Sequence, residues 1–517
     1  MSTDHAYQRL QYLLLQELDQ QRWKPGQRLP SIRQLCQQHG LSKATVLHAL
    51  QRLEASGRIE ARSRSGYFVR QNTPAELTPL PLRQAQPPTP APVNVSELLA
   101  DIMQRGAAFD LLPRELQQQQ SIPGIQILNR SIGRALRQQQ GVTHLHYDEP
   151  AGYWPLRQQL ALRYQNDGCA LTAEDLCITS GCQHALFLAL KACCNKGDLV
   201  AVESPGFYGV LQLLEQLELR VLEIPASPVT GMDLEWLEKA ARQWPIRACV
   251  VTPAFATPTG SLMPVEQQKK LLQLAEQMDF TLIEDDIYRE LGFYSRPSPL
   301  KALDQQGRVI LCGSFSKTLS RDLRLGWIHA GRWQSQVVRL KLVTQLASSR
   351  FVQQGLAAYL EDGHYDRHLR QRCITLQQQS EQLMQELETL WPQGLHFSRP
   401  QGGLCLWAEW QQPLDSLQLY HQALQASLVI TPGPLFSASG QFGQALRLSF
   451  TQPCTGKRYQ ALQDLRKLIN ELSGTPASGR FASTTTARQS VRGFCEGSAE
   501  RRLSGGAGSS HPTAPQD

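Results

Sequence analysis

Lys317 is the residue of this sequence whose position most directly suggests chemistry. It follows an apolar run, while Asp285 and Tyr288 follow another apolar run further upstream. A lysine held at the end of a strand can form a Schiff base with an aldehyde. A carboxylate and a phenol on a neighbouring strand end can pair with the ring nitrogen and ring oxygen of pyridoxal phosphate (PLP), and Arg324 can clamp its phosphate. These four side chains together predict a PLP site.

The elements that must position these side chains are predicted by short apolar runs. Because the runs are continuous and do not alternate with polar residues, they indicate strands that are buried on both faces of a mostly parallel sheet. Amphipathic helical patterns separate them, so the predicted fold class is α/β, and ligands are expected at the carboxyl ends of the strands. The predicted strands are 177–179, 199–202, 249–252, 281–283 and 309–312.

Further polar and aromatic residues lie where these strands end. Cys182 and Gln183 open a helix, and the amino end of a helix suits a phosphate group. Phe207 could stack on a planar ring, and Thr257 follows the next strand. Arg447 lies in an otherwise apolar strand, where a bidentate clamp on a carboxylate would explain its presence. Each residue alone has a commoner structural role, but their shared placement at strand ends favours one binding site.

The first 70 residues carry most of the positive charge of the 517-residue chain. They contain eleven Lys and Arg against five Asp and Glu, an excess of six, and the whole chain carries +7. This distribution favours a polyanionic partner, with a solvated basic surface as the alternative. Apolar spacing from Tyr7 to Leu18 predicts one helix, Ser31 caps a predicted second helix, 32–39, and Ser42 caps a third.

Two short strands between residues 58 and 69 would form a β wing after the third helix. Three helices and a wing predict a winged helix-turn-helix domain over residues 1–70. Its third helix would enter the major groove by its amino end, and its wing would approach the minor groove. The alternative is a winged helix that serves only protein contacts. The predicted DNA-contacting residues are Arg33, Ser42, Lys43, Thr45, Arg62, Arg64 and Gly66.

The composition of two other segments separates the domains. Seven prolines between residues 71 and 92 predict an extended linker, 71–94, that lets the domains move relative to each other or exchange between subunits. The large domain is predicted over 95–473. Residues 474–517 are rich in Ser, Gly, Thr and Ala without apolar periodicity, which predicts a disordered tail.

Several other functional classes are not supported by the sequence. No apolar run approaches the ~20 residues that span a bilayer, and no signal peptide is predicted, so the cytoplasm is the expected location. The twelve cysteines form no C-x-x-C pair and are expected to be reduced. His364 and His368 stand four residues apart, but no acidic third ligand is obvious, so no metal site is predicted.

The amino-terminal segment resembles the GntR family of bacterial repressors at residues 25–26, 29–35, 42–46 and 66–69, in the order of that family. The large domain resembles the fold-type I aminotransferases, in particular the branch fused to GntR modules and called MocR-like regulators. This resemblance rests on the strand-end residues described above and on the run 314–318, which contains Lys317. It implies a fold-type I PLP-dependent domain that forms homodimers.

The resemblance also implies roles for individual residues. Lys317 would form the internal aldimine, Asp285 would pair with the pyridine nitrogen, and Tyr288 would pair with the phenolic oxygen. Arg447 would bind the carboxylate of an amino-acid ligand, and Tyr147 would reach the cofactor phosphate of the neighbouring subunit. Thr257 stands where the family usually has Asn. The other implied contacts to the phosphate or ring are Cys182, Gln183, Phe207, Ser314 and Arg324.

The combination of the two domains favours a PLP-dependent transcriptional regulator that senses PLP, an amino compound, or both through Lys317. The alternative is an active aminotransferase of 2-amino acids that carries a DNA-binding module, with Lys317 as the base that moves the α-proton. A protein-interaction scaffold with a dead pocket is disfavoured because Lys317, Asp285, Tyr288 and Arg324 are all present.

Overall fold

The structure, a computed structural model, describes most of the large domain and much of the amino-terminal module. The predicted linker and the predicted tail lie outside the described residues, apart from Pro90 and the end of the last helix. The described residues are 10, 13–14, 17–18, 22–24, 26–55, 59–62, 66–69, 90, 102, 111–113, 124–138 and 147–474.

The amino-terminal module contains the second and third predicted helices around a small apolar core, and most of the predicted first helix, 7–18, lies outside the described residues. α1 (Ile32–His39) begins after Ser31, which forms a capping box with Gln34: the Ser31 hydroxyl accepts from the Gln34 N–H, and the Gln34 side chain accepts from the Ser31 N–H. α2 (Lys43–Ala55) begins after Ser42. The core of this module contains Leu10, Leu14, Leu18, Leu35, Val46, Leu50 and Leu53.

The predicted wing is present as an antiparallel pair. β1 (Ile59–Arg62) pairs with β2 (Gly66–Val69), with Ile59 opposite Val69. Gly66 has a φ of +98°, a conformation that side chains other than glycine rarely adopt. Arg64, predicted to contact DNA from the wing, lies outside the described residues.

The large domain is built on an eight-stranded sheet. Its strand order is β3-β10-β9-β8-β7-β4-β5-β6, with parallel pairing from β5 through β4, β7 and β8 to β9. Although β10 is antiparallel to both of its neighbours, the sheet is mostly parallel, as predicted. The strands are β3 (Leu176–Thr179), β4 (Leu199–Ser204), β5 (Arg220–Ser227), β6 (Gly231–Met232), β7 (Ile246–Val251), β8 (Thr281–Asp285), β9 (Val309–Ser314) and β10 (Gly326–His329).

Helices bury both faces of this sheet. Successive strand residues point to opposite faces, and Ile283 and Ile310 accordingly join one apolar cluster while Leu282 and Val309 join another. This explains why the strands read as continuous apolar runs. The helices are α3 (Ile125–Arg137), α4 (Trp154–Asn166), α5 (Cys182–Cys193), α6 (Tyr208–Gln216), α7 (Leu234–Gln243), α8 (Val265–Gln277), α9 (Gln334–Thr344), α10 (Arg350–Glu361) and α11 (His364–Leu390).

A second, antiparallel sheet follows α11 and carries Arg447. Its strand order is β11-β12-β14-β13, and Arg447 lies on β14 opposite Trp407 of β12. No helix in the described ranges is long and apolar enough to cross a membrane. The remaining elements are β11 (Leu395–Phe397), β12 (Cys405–Trp410), α12 (Ser416–Gln425), β13 (Thr431–Pro432), β14 (Ala445–Ser449) and α13 (Gly456–Gly474).

Candidate cofactor site and DNA interface

The structure brings Lys317, Asp285 and Tyr288 together at the carboxyl edge of the large sheet. β8 and β9 are parallel neighbours with Asp285 opposite Cys312, so Asp285 ends its strand beside the loop that carries Lys317. Asp285 and Tyr288 are buried and Lys317 is half-buried. Asp285 influences the ionisation of both Lys317 and Tyr288, which places the three groups in one electrostatic environment.

Burial sets the protonation of this site. It raises the pKa of Asp285 to about 6, because the charged carboxylate loses its hydration. Burial, followed by the positive charge of Arg447, lowers the pKa of Lys317 to about 8. Burial also raises the pKa of Tyr288 well above its ordinary value, so its phenol keeps its proton and can donate a hydrogen bond. The lysine is therefore much closer to its nucleophilic, neutral form than a surface lysine is.

A concave set of hydrogen-bond donors lies at the start of α5. Arg324 is exposed, and its Nη2 donates to the carbonyl oxygen of Ser180 at 3.0 Å. A Cβ built on Gly181 would lie 3.0 Å from that guanidinium, and Gly181 has a φ of +90°. Glycine is thus required for this close approach, which sets a guanidinium beside the free N–H groups of a helix amino end. Such an arrangement suits a phosphate.

Two serine hydroxyls precede Lys317, one on Ser314 at the end of β9 and one on Ser316. Ser314 Oγ lies 2.9 Å from Ser316 Oγ and donates to the carbonyl oxygen of Leu325 at 3.0 Å. The sequence reasoning assigned Ser314 to the phosphate and missed Ser316. The signal for Ser316 was its place in the same short run, immediately before the lysine.

The side chains of Cys182 and Gln183 both form contacts with other protein groups. The Cys182 thiol donates to Asp285 Oδ1 at 3.1 Å, and Gln183 Nε2 donates to the carbonyl oxygen of Gly209 at 2.7 Å. Cys182 stands where the family usually has a hydroxyl residue, so its phosphate contact is predicted to come from backbone N–H groups, and the role of Gln183 stays a prediction. Phe207 is half-buried, and a Cβ built on Gly209 would lie 2.5 Å from its ring, so Gly209 is needed for the ring to lie there.

Arg447 brings the second sheet into the site. It is buried, its Nη2 lies 3.4 Å from Thr431 Oγ1, and its guanidinium carbon lies 5.3 Å from the ring centroid of Phe436. Its charge acts on the Lys317 amine. Thr257 is also buried, and its Oγ1 lies 3.5 Å from the thiol of Cys405, a neighbour that the sequence reasoning missed.

Tyr147 is not part of this cluster within the chain, because 80% of its surface is exposed. The loop that follows it is nevertheless firmly held. Arg157 donates to the carbonyl oxygen of Gly152 at 3.0 Å, and buried Lys341 donates to the carbonyl oxygen of Pro150.

Comparisons with known proteins agree with this geometry. Residues 124–460 match the model of the aminotransferase class I and II family, and residues 6–69 match that of the bacterial regulatory proteins of the gntR family. The HTH-type transcriptional regulator YjiR of Escherichia coli is 35% identical over 90% of this chain and 98% of its own length. The chain belongs to the aminotransferase class I and II family. With its gntR module it has the architecture of the MocR-like regulators.

Two other relatives share only the large domain of this MocR-like chain. Aromatic-amino-acid aminotransferase 1 of Thermococcus litoralis is 30% identical over 63% of this chain and 80% of its own. A crystal structure of Pyrococcus horikoshii kynurenine aminotransferase is 26% identical, covers 73% of this chain and 94% of its own, and superposes with a TM-score of 0.65. The large domain therefore has the fold-type I aminotransferase fold.

The cofactor implied by this family is PLP, and the residues of the MocR-like chain fit it. The buried carboxylate of Asp285 suits a pyridinium nitrogen, and the protonated phenol of Tyr288 suits a ring oxygen. The donors around Gly181 and Arg324 suit a phosphate dianion. Lys317 supplies a primary amine of lowered pKa. When bound, PLP supplies an aldehyde that condenses with primary amines.

A set of buried charged residues that the sequence did not predict lies next to this site. Asp286, the neighbour of Asp285, pairs with Arg289 at 2.8 Å and accepts a hydrogen bond from the Tyr164 hydroxyl at 2.7 Å. Arg289 also pairs with Asp167 at 2.7 Å. The acidic run 284–286 was visible in the sequence, but its partners are distant in the chain and only the fold reveals them.

Several of the residues predicted to contact DNA are exposed polar groups at the surface of the module. Arg33, Ser42 and Lys43 are exposed. Ser42 Oγ accepts from the Thr45 N–H at 3.2 Å and lies 2.8 Å from Thr45 Oγ1, so both hydroxyls also serve the helix start. The structure describes no side chain for Arg62, so its predicted contact stays a prediction.

A cleft of about 610 Å³ opens between the start of α1, Lys43 and the wing. Arg28, Arg33 and Lys43 line it. A Cβ built on Gly66 would lie 3.4 Å from the Arg28 guanidinium, so Arg28 reaches the base of the wing. The sequence reasoning missed Arg28, although its place just before the predicted second helix was a signal.

Proposed function

We propose that this protein is a PLP-dependent, DNA-binding transcriptional regulator, whose large domain senses PLP, an amino compound, or both. The observation that carries the proposal is that one chain holds both an exposed cationic cleft on a winged helix and a buried site built around Lys317, Asp285 and Arg447. The relative YjiR, named a transcriptional regulator, shares both parts.

Each residue of the site has a defined task in this proposal. The Lys317 amine reacts with the cofactor aldehyde, Asp285 holds the ring nitrogen protonated, and Tyr288 donates to the ring oxygen. Phe207 stacks on the ring, Thr257 lies beside it, and backbone N–H groups at residues 181–183 bind the phosphate together with Ser314 and Arg324.

Arg447 selects the ligand in this proposal. Its buried guanidinium acts on the Lys317 amine across the site. A 2-amino acid carries two charged groups. Its amino group would react at Lys317, and its carboxylate would pair with Arg447. The amino ligand is thus proposed to be an amino acid, and its exchange with the lysine would favour one of two domain arrangements.

The functional unit is proposed to be a homodimer that acts in the cytoplasm, where a bacterial genome lies. Exposed Tyr147, on its firmly held loop, would contact the cofactor phosphate in the other subunit. The domain boundaries proposed above, 1–70, 71–94 and 95–473, leave a linker long enough for the DNA-binding modules to exchange between subunits.

The deciding experiment compares the wild type with Lys317→Ala. Wild-type protein is expected to take up PLP with a visible absorbance band, to gain cofactor mass after borohydride reduction, and to change its DNA affinity when PLP or an amino acid is added. Lys317→Ala is expected to lose all three responses while keeping its DNA binding. A variant that retained the band and the ligand response would overturn the proposal.

An active aminotransferase is the second candidate, supported by the lowered pKa of Lys317 and the likeness to an aromatic-amino-acid aminotransferase. Single-turnover assays with amino-acid and keto-acid pairs separate the two. Turnover on the order of 1 s⁻¹ or more would favour the enzyme. Trace turnover together with ligand-dependent DNA binding would favour the regulator.

A further inference from the structure

Thr318, the residue after Lys317, is held by two residues of the first turns of α11. Thr318 is buried, and its Oγ1 lies 2.7 Å from the Tyr365 hydroxyl. Its carbonyl oxygen accepts a hydrogen bond from His368 Nε2 at 2.9 Å. Because α11 lies outside the loop that carries Lys317, these two contacts fix that loop from a separate element.

The direction of these hydrogen bonds can be worked out from the neighbouring charges. The Tyr365 hydroxyl also lies 2.7 Å from Glu290 Oε2, and it has one proton to give. Burial would raise the pKa of Glu290, but the charges of Arg163 and Arg289 outweigh it and lower the pKa to about 2. The ionised carboxylate therefore accepts the phenol proton, and the Thr318 hydroxyl donates to Tyr365.

The far end of this chain of contacts is anchored. Arg163 pairs with Glu290 and with Asp366 of α11, and its guanidinium lies 4.5 Å from the ring centroid of Tyr365. A phenol held between a paired carboxylate and a packed guanidinium has little freedom to turn. Thr318 is therefore tied to a rigid point and not to a mobile side chain.

His368 touches a second segment on its other side. A Cβ built on Gly124 would lie 3.1 Å from His368 Nδ1 and 2.7 Å from the Tyr359 hydroxyl, and Gly124 has a φ of +92°. Gly124 is the residue at which α3 begins and at which the match to the aminotransferase family starts. A side chain at this position would push against the histidine that holds Thr318.

Movement at Gly124 would be carried into α3, because α3 packs tightly on α10. A Cβ built on Gly355 of α10 would lie 2.5 Å from the backbone of Ile132 in α3. Two backbones this close move together. A continuous set of contacts therefore runs from the loop that carries Lys317, through α11, to Gly124 and α3.

We infer that Tyr365 and His368 are positioning residues for Lys317, and that they couple its loop to Gly124 at the start of the aminotransferase-like domain. The inference rests on the proposed function, since it assigns these residues to the capture of PLP by Lys317. It adds a route by which the state of the lysine reaches α3, where the match to the aminotransferase family begins.

The first test measures PLP affinity by equilibrium titration. Tyr365→Phe removes the hydroxyl and keeps the ring, and His368→Leu removes the donor to Thr318. Each is expected to raise the Kd for PLP about tenfold, the effect of one lost charge-assisted or buried hydrogen bond. His368→Gln keeps a donor near the same place and is expected to restore most of the affinity.

The matched control is Tyr359→Phe. Tyr359 is as fully buried as Tyr365, and its hydroxyl has no hydrogen-bond partner among the described residues. Tyr359→Phe is expected to bind PLP like the wild type. The pH midpoint of the visible absorbance of the PLP-loaded protein is measured alongside Tm. A merely structural role would lower Tm without shifting that midpoint, whereas a positioning role shifts it.

The second test acts from outside the site. Gly124→Ala introduces a methyl group against the Tyr359 hydroxyl and His368 and is expected to weaken PLP binding severalfold. Gly168→Ala is its control, because Gly168 has a similar backbone conformation, φ +83°, with nothing within 4 Å of a built Cβ. Hydrogen exchange of residues 124–137 is expected to slow when PLP binds the wild type, and this response should be lost in Tyr365→Phe and His368→Leu.

The outcomes distinguish a failure of the proposed function from a failure of the inference. If the wild type does not bind PLP, the proposed function fails and the inference fails with it. If the wild type binds PLP, but Tyr365→Phe and His368→Leu match it in affinity, absorbance midpoint and exchange response, only the inference is overturned. Folding of each variant is checked by Tm, and Gly124→Ala provides an independent result if an α11 variant does not fold.

Discussion

The cofactor site and the DNA-binding module of this chain use charge in opposite ways. Asp285 and Arg447 are buried, and burial shifts the pKa of Asp285 and of Lys317 towards neutral pH. In the module, Arg28, Arg33 and Lys43 are exposed around an open cleft.

This difference predicts two kinds of response. A buried charge has few partners and little screening, so its loss is felt almost entirely at one contact. Exposed cations interact with a polyanion through many weak contacts that salt screens. Single substitutions are therefore expected to abolish PLP binding in the cofactor site but to weaken DNA binding only partly in the module.

The largest effect is expected for Asp285→Asn. The amide keeps the shape of the side chain but cannot carry the charge that pairs with a pyridinium nitrogen. Loss of one partner of a buried ion pair costs about 3–5 kcal/mol, so the Kd for PLP should rise by a factor of about 150 to 4000. Equilibrium dialysis against PLP measures it.

Asp415→Asn is the control for this change. Asp415 caps α12 by accepting from the Leu417 and Gln418 N–H groups, and asparagine caps helices equally well. It should leave PLP binding unchanged. Near-normal affinity in Asp285→Asn would mean that the buried carboxylate does not face the ring nitrogen.

The pH dependence of PLP capture should reveal the lowered pKa of Lys317. Because only the neutral amine attacks the aldehyde, and its pKa is lowered from 10.5 to about 8, the capture rate should rise about tenfold per pH unit below 8 and level off above it. Stopped-flow absorbance measures the rate. The reaction of a free lysine derivative with PLP corrects for titration of the cofactor. A rate that still climbs steeply above pH 9 would contradict the buried environment of the amine.

A smaller effect is expected at the carboxylate clamp. PLP-loaded wild type should respond to a 2-amino acid at much lower concentration than to the matching decarboxylated amine. Arg447→Met should bring the two ligands to similar affinity, a loss of about thirtyfold in preference, because a charge-assisted bidentate contact is removed. Spectral titration with both ligands gives the ratio, and the amine serves as its internal control.

The smallest effect is expected in the module. Arg28→Ala should weaken binding to duplex DNA severalfold and reduce the slope of log affinity against log salt by about one. Arg22→Ala is the control, because Arg22 is already paired with Glu17. Fluorescence anisotropy at several salt concentrations measures both. An unchanged slope in Arg28→Ala would place the phosphate contacts elsewhere on the module.

Local patterns in the sequence predicted most of the elements that position the two sites. Ser31 caps α1 where predicted, and the helix covers the predicted residues 32–39, because caps depend on neighbouring residues alone. The apolar runs predicted the five strands that carry or adjoin the cofactor site, because burial on both faces leaves a continuous apolar signature. The strand-end positions of Asp285 and Lys317 followed from those strands.

Contacts between distant segments could not be predicted in this way. The Cys182 thiol reaches Asp285 across 103 positions of sequence, and Tyr365 reaches Thr318 across 47. No local spacing encodes such a pair. The contact of the Cys182 thiol with Asp285 was therefore not predicted, and the position of Arg28 in the cleft was not predicted because it depends on how the wing folds back.

Arg447 and Lys317 belong to different sheets, one on β14 and the other on the loop after β9. A ligand that binds both residues would link the two sheets. Its binding free energy would then add to the free energy of unfolding of the large domain. The melting temperature should climb with the logarithm of amino-acid concentration, and a ligand lacking either charged end should give no such climb.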